Sequence, residues 1–286
     1  MLSVRSKMHP SKLKLLTSFF TRHNIAPPRF VLSHFYLARR VVQGNKMYVN
    51  PRNNLNLFLT GMYEPLETET EIVRNHVRET HTVLDVGANI GYYTLLCAKL
   101  VGDLGQVFAF EPDTVNFAWL SRNVRMNNLE NVLPVRKAVS NVTGIAKLHL
   151  SERNRGAHTL RDSEDSRRAV QVETIRLSDY FESTNERIDF IKLDIGGAEF
   201  AALQGMETLL RNNPNLKIVT EFWPAGLEQS GAEAQEYLEL LLSHDFELLE
   251  IDEETKRVTS TGISELLGHY DSKKGTYTNL LCVRRK

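Results

Sequence analysis

The segment Asp85-Val86-Gly87-Ala88-Asn89-Ile90-Gly91 joins an apolar run to a helical pattern, and its residue types could hold a nucleotide-like ligand. Gly87 can adopt the backbone angles of a tight turn that a side chain would forbid. Gly91 lets the helix start approach a ligand or the strand closely. The N–H groups exposed there can receive a carboxylate, and Asp85, just before the turn, can attract a cationic amino group directly or through water. Glu111 follows Gly91 by 20 residues, at the end of the next apolar run. A carboxylate in that place can accept hydrogen bonds from both hydroxyls of a ribose. A nicotinamide dinucleotide and S-adenosylmethionine both suit such a turn. The dinucleotide pattern G-x-G-x-x-G is not met, because Asn89 stands at the second glycine. A pyrophosphate needs the close approach lost there and a methionine tail does not, so S-adenosylmethionine is the favoured ligand. A nicotinamide oxidoreductase is the reading this turn argues against.

These residues have to be positioned by strands and helices in alternation. Strands are expected at Val83–Val86, Gln106–Phe110, Val132–Val139, Ala146–Leu150, Val170–Ile175, Asp189–Leu193, Lys217–Thr220, Glu247–Ile251 and Asn279–Val283. Helices are expected over Tyr92–Leu100, from an Asp113 cap to about Asn127 with Phe117, Leu120 and Val124 inward, and over Ala198–Leu210. Another should end at Leu242 behind a Ser230/Glu233 capping box. Strands separated by helices imply parallel βαβ units with right-handed crossovers. The ligand site of such a sheet lies at the carboxyl ends of its strands. Gly87, Glu111, Asp194 and Glu221 all stand at expected strand exits, which points to one shared crevice.

The stretches VLDVGANIGYYTLL (83–96), VFAFEPD (107–113), NNLENV (127–132) and FIKLDIGGAEFAALQG (190–205) resemble the FkbM-type family of S-adenosylmethionine-dependent methyltransferases. Their order and spacing also agree, so the resemblance covers roughly residues 62–283; MYVNPRN (47–53) and GMYEP (61–65) also resemble the family's lead-in, and residues 1–45 are not covered. It implies an α/β, class I methyltransferase Rossmann-like fold: a seven-stranded, mostly parallel sheet with an antiparallel last strand. It implies methyl transfer, most often to a hydroxyl of a sugar, glycan or secondary metabolite. Asp85, Gly87, Ala88, Asn89 and Gly91 would surround the methionine part, Glu111 beside Pro112 would hold the ribose, and Ala138 and Val139 would lie near the adenine. Asp194, Glu199 and Glu221 would face the methyl group and the acceptor. The family usually reads Asp-Val-Glu-Gly-Ala-Glu where this chain has Asp194-Ile195-Gly196-Gly197-Ala198-Glu199. Gly196 therefore removes a carboxylate from the rim. Drift to another acceptor is one reading. Loss of turnover with cofactor binding kept is the other, and it would make the chain a binding module acting through its N-terminal arm.

A hydroxyl is a poor nucleophile until its proton leaves, so a general base is useful. Asp194, Glu221 and Glu199 are candidates by position, and His158 in the polar loop 151–168 could act from above. Metal-assisted relatives need further oxygen ligands in register. None accompany Glu221, so no metal is assigned. The turn after Asp194 lacks the Pro-Pro-Tyr/Phe type of base-methylating enzymes, and no aromatic platform accompanies the basic arm, which disfavours nucleic acid. Trp223 could wall the acceptor pocket or simply pack.

Composition bounds the rest. The chain has 286 residues, 42% of them hydrophobic, with 24% charged, which is ordinary for a globular protein. Cys97 and Cys282 are its only cysteines, which excludes a disulfide framework and a cysteine-rich zinc site. Its zero net charge hides an asymmetry: residues 1–63 hold ten Lys and Arg and no acid, and the remainder carries −10. A basic helical arm (1–63) before a methyltransferase domain (64–286) is the expected organisation. The arm's helices are expected near Leu13–Phe20 and over Phe30–Val42, with Arg39-Arg40 near the end of the second. Three readings of the arm stay open: it neutralises the acidic body, it meets an anionic partner or membrane surface through residues 1–45, or it targets an organelle. A cytoplasmic location is the expectation, with packing of the arm on the parent domain as the default and peripheral membrane contact or organelle targeting left open.

Overall fold

The computed structural model describes residues 38–50, 57–58, 67–150, 169–184 and 186–285. The expected arm helix near Leu13–Phe20, the loop carrying His158, and residues 30–37 lie outside the described residues. The chain divides into two units, Met1–Glu64 and Pro65–Lys286.

In the first unit, β1 (Ala38–Val42) pairs antiparallel with β2 (Asn45–Val49). The end of the expected second arm helix is therefore a strand. Gln43 and Gly44 both take positive φ, 49° and 76°, the geometry of a two-residue hairpin turn. Val42, Met47 and Val49 are buried, and the Arg40 guanidinium lies 4.2 Å from the centre of the Phe58 ring.

The second unit is built on an eight-stranded sheet. Its strands are β3 (Thr82–Val86), β4 (Gln106–Phe110), β5 (Val132–Val135), β9 (Phe190–Leu193), β10 (Lys217–Phe222), β11 (Phe246–Asp252), β12 (Arg257–Ser260) and β13 (Thr278–Arg284). Their spatial order is β12-β11-β13-β10-β9-β3-β4-β5. The pairs among β5, β4, β3, β9 and β10 are all parallel, and β13 runs antiparallel to both β10 and β11. This is the α/β class I methyltransferase arrangement with one strand more than expected. The extra strand, β12, is a fully exposed edge paired antiparallel with β11. It lacks the apolar alternation that marks a half-buried strand.

Other departures have local causes. The expected strand Val132–Val139 is two pieces. β5 lies at the sheet edge, where Pro134 can sit without an N–H, and β6 (Ala138–Val139) joins a separate three-stranded sheet. That sheet has the order β6-β8-β7, with β7 at Gly144–His149 and β8 at Ala169–Ile175. The expected helix Ala198–Leu210 is broken into Glu199–Gln204 and Glu207–Asn212. A Cβ at Gly205 would stand 2.0 Å from the Ser140 carbonyl oxygen, so the chain bends where two backbones touch. The Ser230/Glu233 capping box does not form: Ser230 closes the helix Pro224–Gln229, and Glu233 is the N-cap of the helix Ala234–Ser243 without a side-chain bond. Asp113 does cap the helix Thr114–Met126, its Oδ1 accepting from the Val115 and Asn116 N–H groups.

Side chains alternate across a strand. Leu84, Val86, Phe108, Phe110, Ile191, Leu193, Ile218 and Phe222 point to one face and share a core with Leu203, Leu209, Leu238 and Leu241. The opposite face, covered by the helices Glu67–His76 and Tyr92–Val101, carries the polar positions Asp85 and Lys192, which are paired across β3 and β9.

Candidate active site

The carboxyl ends of β3, β4, β9 and β10 bring the expected glycine turn and acids to one end of the sheet. Gly87 (φ +89°) and Gly91 (φ +97°) both take left-handed backbone angles. The Gly87 and Ala88 N–H groups both donate to the Phe110 carbonyl at 3.0 Å. A Cβ on Gly87 would stand 1.9 Å from the Asp194 carbonyl oxygen, so the absence of a side chain lets the turn close against the exit of β9. A Cβ on Gly91 would meet Leu120 at 2.9 Å, so Gly91 serves the approach of the helix Thr114–Met126. Asn89 also has positive φ, and its N–H donates to Glu111 Oε2 at 2.8 Å.

Glu111 is buried, and its other oxygen, Oε1, accepts from the Asp113 N–H at 2.8 Å. Each carboxylate oxygen thus takes one main-chain donor and keeps accepting capacity. Burial raises the Glu111 carboxyl to about 8, against the lowering effect of those two N–H bonds. Pro112 follows it, half-buried. Asp85 is nearly sealed: it accepts from the Thr94 hydroxyl, and burial raises it to about 6. Ala138 and Val139 are buried, and Val139 belongs to the main core.

Asp194 is the exposed acid of the group, with 45% of its side chain accessible. Its N–H donates to the Val86 carbonyl, which ties the exit of β9 to that of β3. Glu199, fully buried, folds back so that Oε1 accepts from the Ile195 N–H at 2.9 Å, while its Oε2 is buried with no hydrogen-bond partner. Burial raises Glu199 to about 7, and Asp194 adds to the rise. Glu221 lies within β10 rather than after it. Burial, then the charges of Asp194 and Glu199, push it well above the usual carboxylate range. Gly196 and Gly197 are both left-handed, φ 64° and 99°, and Gly197 runs against the Gly226 backbone. The missing rim carboxylate thus coincides with a position where a side chain is strained. Trp223 precedes the helix Pro224–Gln229 and packs against Gly226, where a Cβ would stand 2.2 Å from its ring.

Sequence reasoning missed Lys192. It is completely buried in β9, its Nζ 3.3 Å from Asp194 Oδ2 and 3.4 Å from Glu69 Oε1. The same ammonium lies 5.3 Å from the centre of the Tyr93 ring. Burial alone would lower its pKa, but Glu69, Asp194, Glu221 and Asp85 together raise it above the ordinary lysine value. Glu69, itself pushed up by burial, comes from the helix Glu67–His76. Glu253 caps that helix from β11's far end, its two oxygens accepting from Thr68 and Glu69 N–H at 2.8 Å. One signal was available: Lys192 is the charged member of the apolar run Phe190-Ile191-Lys192-Leu193. Among the described residues no group of three or more His, Cys, Asp or Glu is arranged to hold a metal ion, and no helix is long and apolar enough to cross a membrane.

The arrangement suits S-adenosylmethionine on the chain's own terms. Asn89 Oδ1, in the glycine turn, is a buried acceptor with no donor, which fits an ammonium-bearing ligand. Glu111 offers its remaining lone pairs to a diol.

Comparison with known proteins agrees. Residues 85–248 match the family described as Methyltransferase FkbM domain. Methyltransferase sdnD of Sordaria araneosa is 30% identical over 181 residues, spanning 51% of this chain and 68% of that protein. Methyltransferase 1 of Beauveria bassiana (strain ARSEF 2860) is 26% identical over 145 residues, 44% of this chain and 58% of the relative. Among solved structures, a SAM-dependent methyltransferase from Aquifex aeolicus aligns with a TM-score of 0.44 at 15% identity, covering 97% of this chain and 98% of that one. A Streptococcus mutans methyltransferase in complex with SAH aligns with a TM-score of 0.47 at 9% identity, covering 78% and 99%.

Proposed function

The chain belongs to the FkbM methyltransferase family, whose methyl donor is S-adenosylmethionine, and from that premise we propose that it methylates a hydroxyl of a small molecule, a sugar or a secondary metabolite. The observation that carries this reading is the contact between the glycine turn and the exit of β9. Gly87 abuts the Asp194 carbonyl, so the loop that would hold the donor and the exposed acid share one corner of the sheet.

In this reading Asn89 and the main chain around Gly87 hold the methionine part, and Glu111 holds the ribose. When bound, S-adenosylmethionine supplies a methyl carbon already activated by its sulfonium and leaves as S-adenosylhomocysteine. Asp194 is the general base in this reading: its carboxylate would take the proton of the acceptor hydroxyl. Its exposure lets an acceptor reach it, whereas Glu199 is fully buried and Glu221 half-buried, and burial raises both of those carboxyls above the usual range. Holding donor and acceptor in line is itself worth about 7–11 kcal/mol of barrier. His158 lies outside the described residues, and Ala138 and Val139 remain the proposed adenine neighbours.

The test is direct. Calorimetric titration should show S-adenosylmethionine and S-adenosylhomocysteine binding and NAD failing to bind. A panel of sugar, alcohol, phenol and amine acceptors should then release S-adenosylhomocysteine only with hydroxyl compounds, with the new methyl on oxygen by mass spectrometry and NMR. Methylation on nitrogen or carbon would overturn the acceptor class, and binding without turnover on any acceptor would favour the altered module instead.

A further inference from the structure

We propose that Lys192 is a positioning residue for methyl transfer: clamped by Glu69 and the Tyr93 ring, its ammonium holds the Asp194 carboxylate at the strand exit, turned towards the acceptor. This rests on the reading of Asp194 as the base.

A charge in the middle of a buried strand is costly. Replacing a buried ion pair by apolar residues of similar volume is often neutral or stabilising. The rest of β9 is Phe190, Ile191 and Leu193, so an aliphatic residue would fit the sheet. Lys192 is therefore poorly explained as a stability device, and its geometry supplies the alternative. Residues 192 and 194 are two apart, so they lean to the same side of the sheet, and the lysine stem carries Nζ forward to Asp194 Oδ2 at 3.3 Å. The ammonium is not free to swing away, because Glu69 holds it from behind at 3.4 Å and the Tyr93 ring lies beside it. Glu69 is in turn fixed on a helix whose first turn is capped by Glu253. The contacts therefore run without a break from the helix Glu67–His76 to the exposed Asp194 carboxylate. They occupy one side of Asp194 and leave the other open.

The experiment compares Lys192→Met, the double variant Glu69→Gln/Lys192→Met and Asp194→Asn in the full chain. It measures S-adenosylmethionine binding by calorimetry, thermal unfolding, and kcat on an aliphatic hydroxyl acceptor and a phenol acceptor found by S-adenosylhomocysteine release. Lys192→Met leaves Glu69 buried without its cation and loses stability; the double variant neutralises both and regains it. Both are expected to bind the donor within about threefold of the parent chain, and both to lose at least about tenfold in kcat on the aliphatic acceptor. The loss should be smaller on the phenol, whose proton leaves more readily. If Lys192→Met does not fold, the double variant carries the test. A double variant that regains both unfolding temperature and kcat would show Lys192 to be structural and end the proposal. Full turnover by Asp194→Asn would instead remove the premise, the general-base reading itself.

Discussion

Two aspartates flank the four residues of β9, and their surroundings differ. Asp189, just before the strand, is buried and engaged through both oxygens. Its Oδ2 accepts from the Thr82 N–H at 2.9 Å and from Arg187 Nη2 at 3.2 Å, and its Oδ1 meets Arg187 Nε at 2.8 Å. It fixes the start of β3 against β9, at the end of the sheet away from the glycine turn. Asp194, just after the strand, is held on one side by a buried ammonium and open on the other. Identical side chains 5 residues apart thus separate into a structural acid and the one proposed to react. The separation follows the general rule for parallel sheets: the amino ends of the strands are closed by packing, while the carboxyl ends face the ligand crevice.

The largest expected effect breaks this comparison in both directions. Asp194→Asn should lower kcat by about 100-fold or more, the range for a lost general base, with donor affinity and unfolding temperature little changed. Asp189→Ala should do the reverse. It leaves the Thr82 N–H buried without a partner and should cost about 1–3 kcal/mol of stability, with kcat retained. Urea unfolding and steady-state kinetics on the two variants decide it. Loss of turnover in Asp189→Ala at full donor occupancy would erase the distinction between the two ends.

A second expectation sharpens the geometry at the carboxyl end. Gly87→Ala places a methyl group where the Asp194 carbonyl lies, at a φ of +89° that alanine resists. Backbone strain of this kind costs about 1–3 kcal/mol, before the collision is counted. Both donor binding and turnover should fall together, because the same displacement moves the turn and the base. Gly102→Ala is the control. It also has positive φ, 67°, but an added Cβ there meets nothing within 4 Å. It should lose stability without touching the donor affinity.

Much of this end of the molecule was legible in the sequence, because local chemistry writes it there. The two glycines of the turn, the Asp113 cap and the apolar runs ending in Glu111 and Asp194 each follow from residue type and short spacing. The features that escaped depend on distant partners. Glu253 caps a helix 185 residues earlier in the chain, which no local pattern announces. Gly205 breaks a helix because the Ser140 backbone passes beside it, and Ser230 is claimed by a preceding helix before it can cap the next. The hairpin at Gln43-Gly44 lacks the Asn-Gly signature of its turn type, and so its first strand read as the tail of a helix. Lys192 was visible as a charge in an apolar run, but its meaning needs Glu69 and Tyr93, which arrive from other elements.

The smallest expected effect concerns pH, and it extends the contrast to Glu111. Burial raises this carboxyl from 4.5 to about 8 in the folded chain. Between those values the folded state keeps a proton that the unfolded state has released. The stability that Glu111 contributes is therefore fully present below about pH 4.5 and is lost as pH rises through about 8. Glu199, raised to about 7, acts in the same sense, so the parent chain alone cannot isolate one group. The difference between the parent and Glu111→Gln can: the free variant should lose less stability between pH 5 and 8, measured by urea unfolding at half-unit steps. The same variant should bind S-adenosylmethionine about tenfold more weakly at pH 8, where a carboxylate would otherwise receive the ribose hydroxyls. Parallel stability curves for parent and variant would mean that Glu111 is already ionised in the free protein. Its two main-chain N–H bonds would then outweigh its burial.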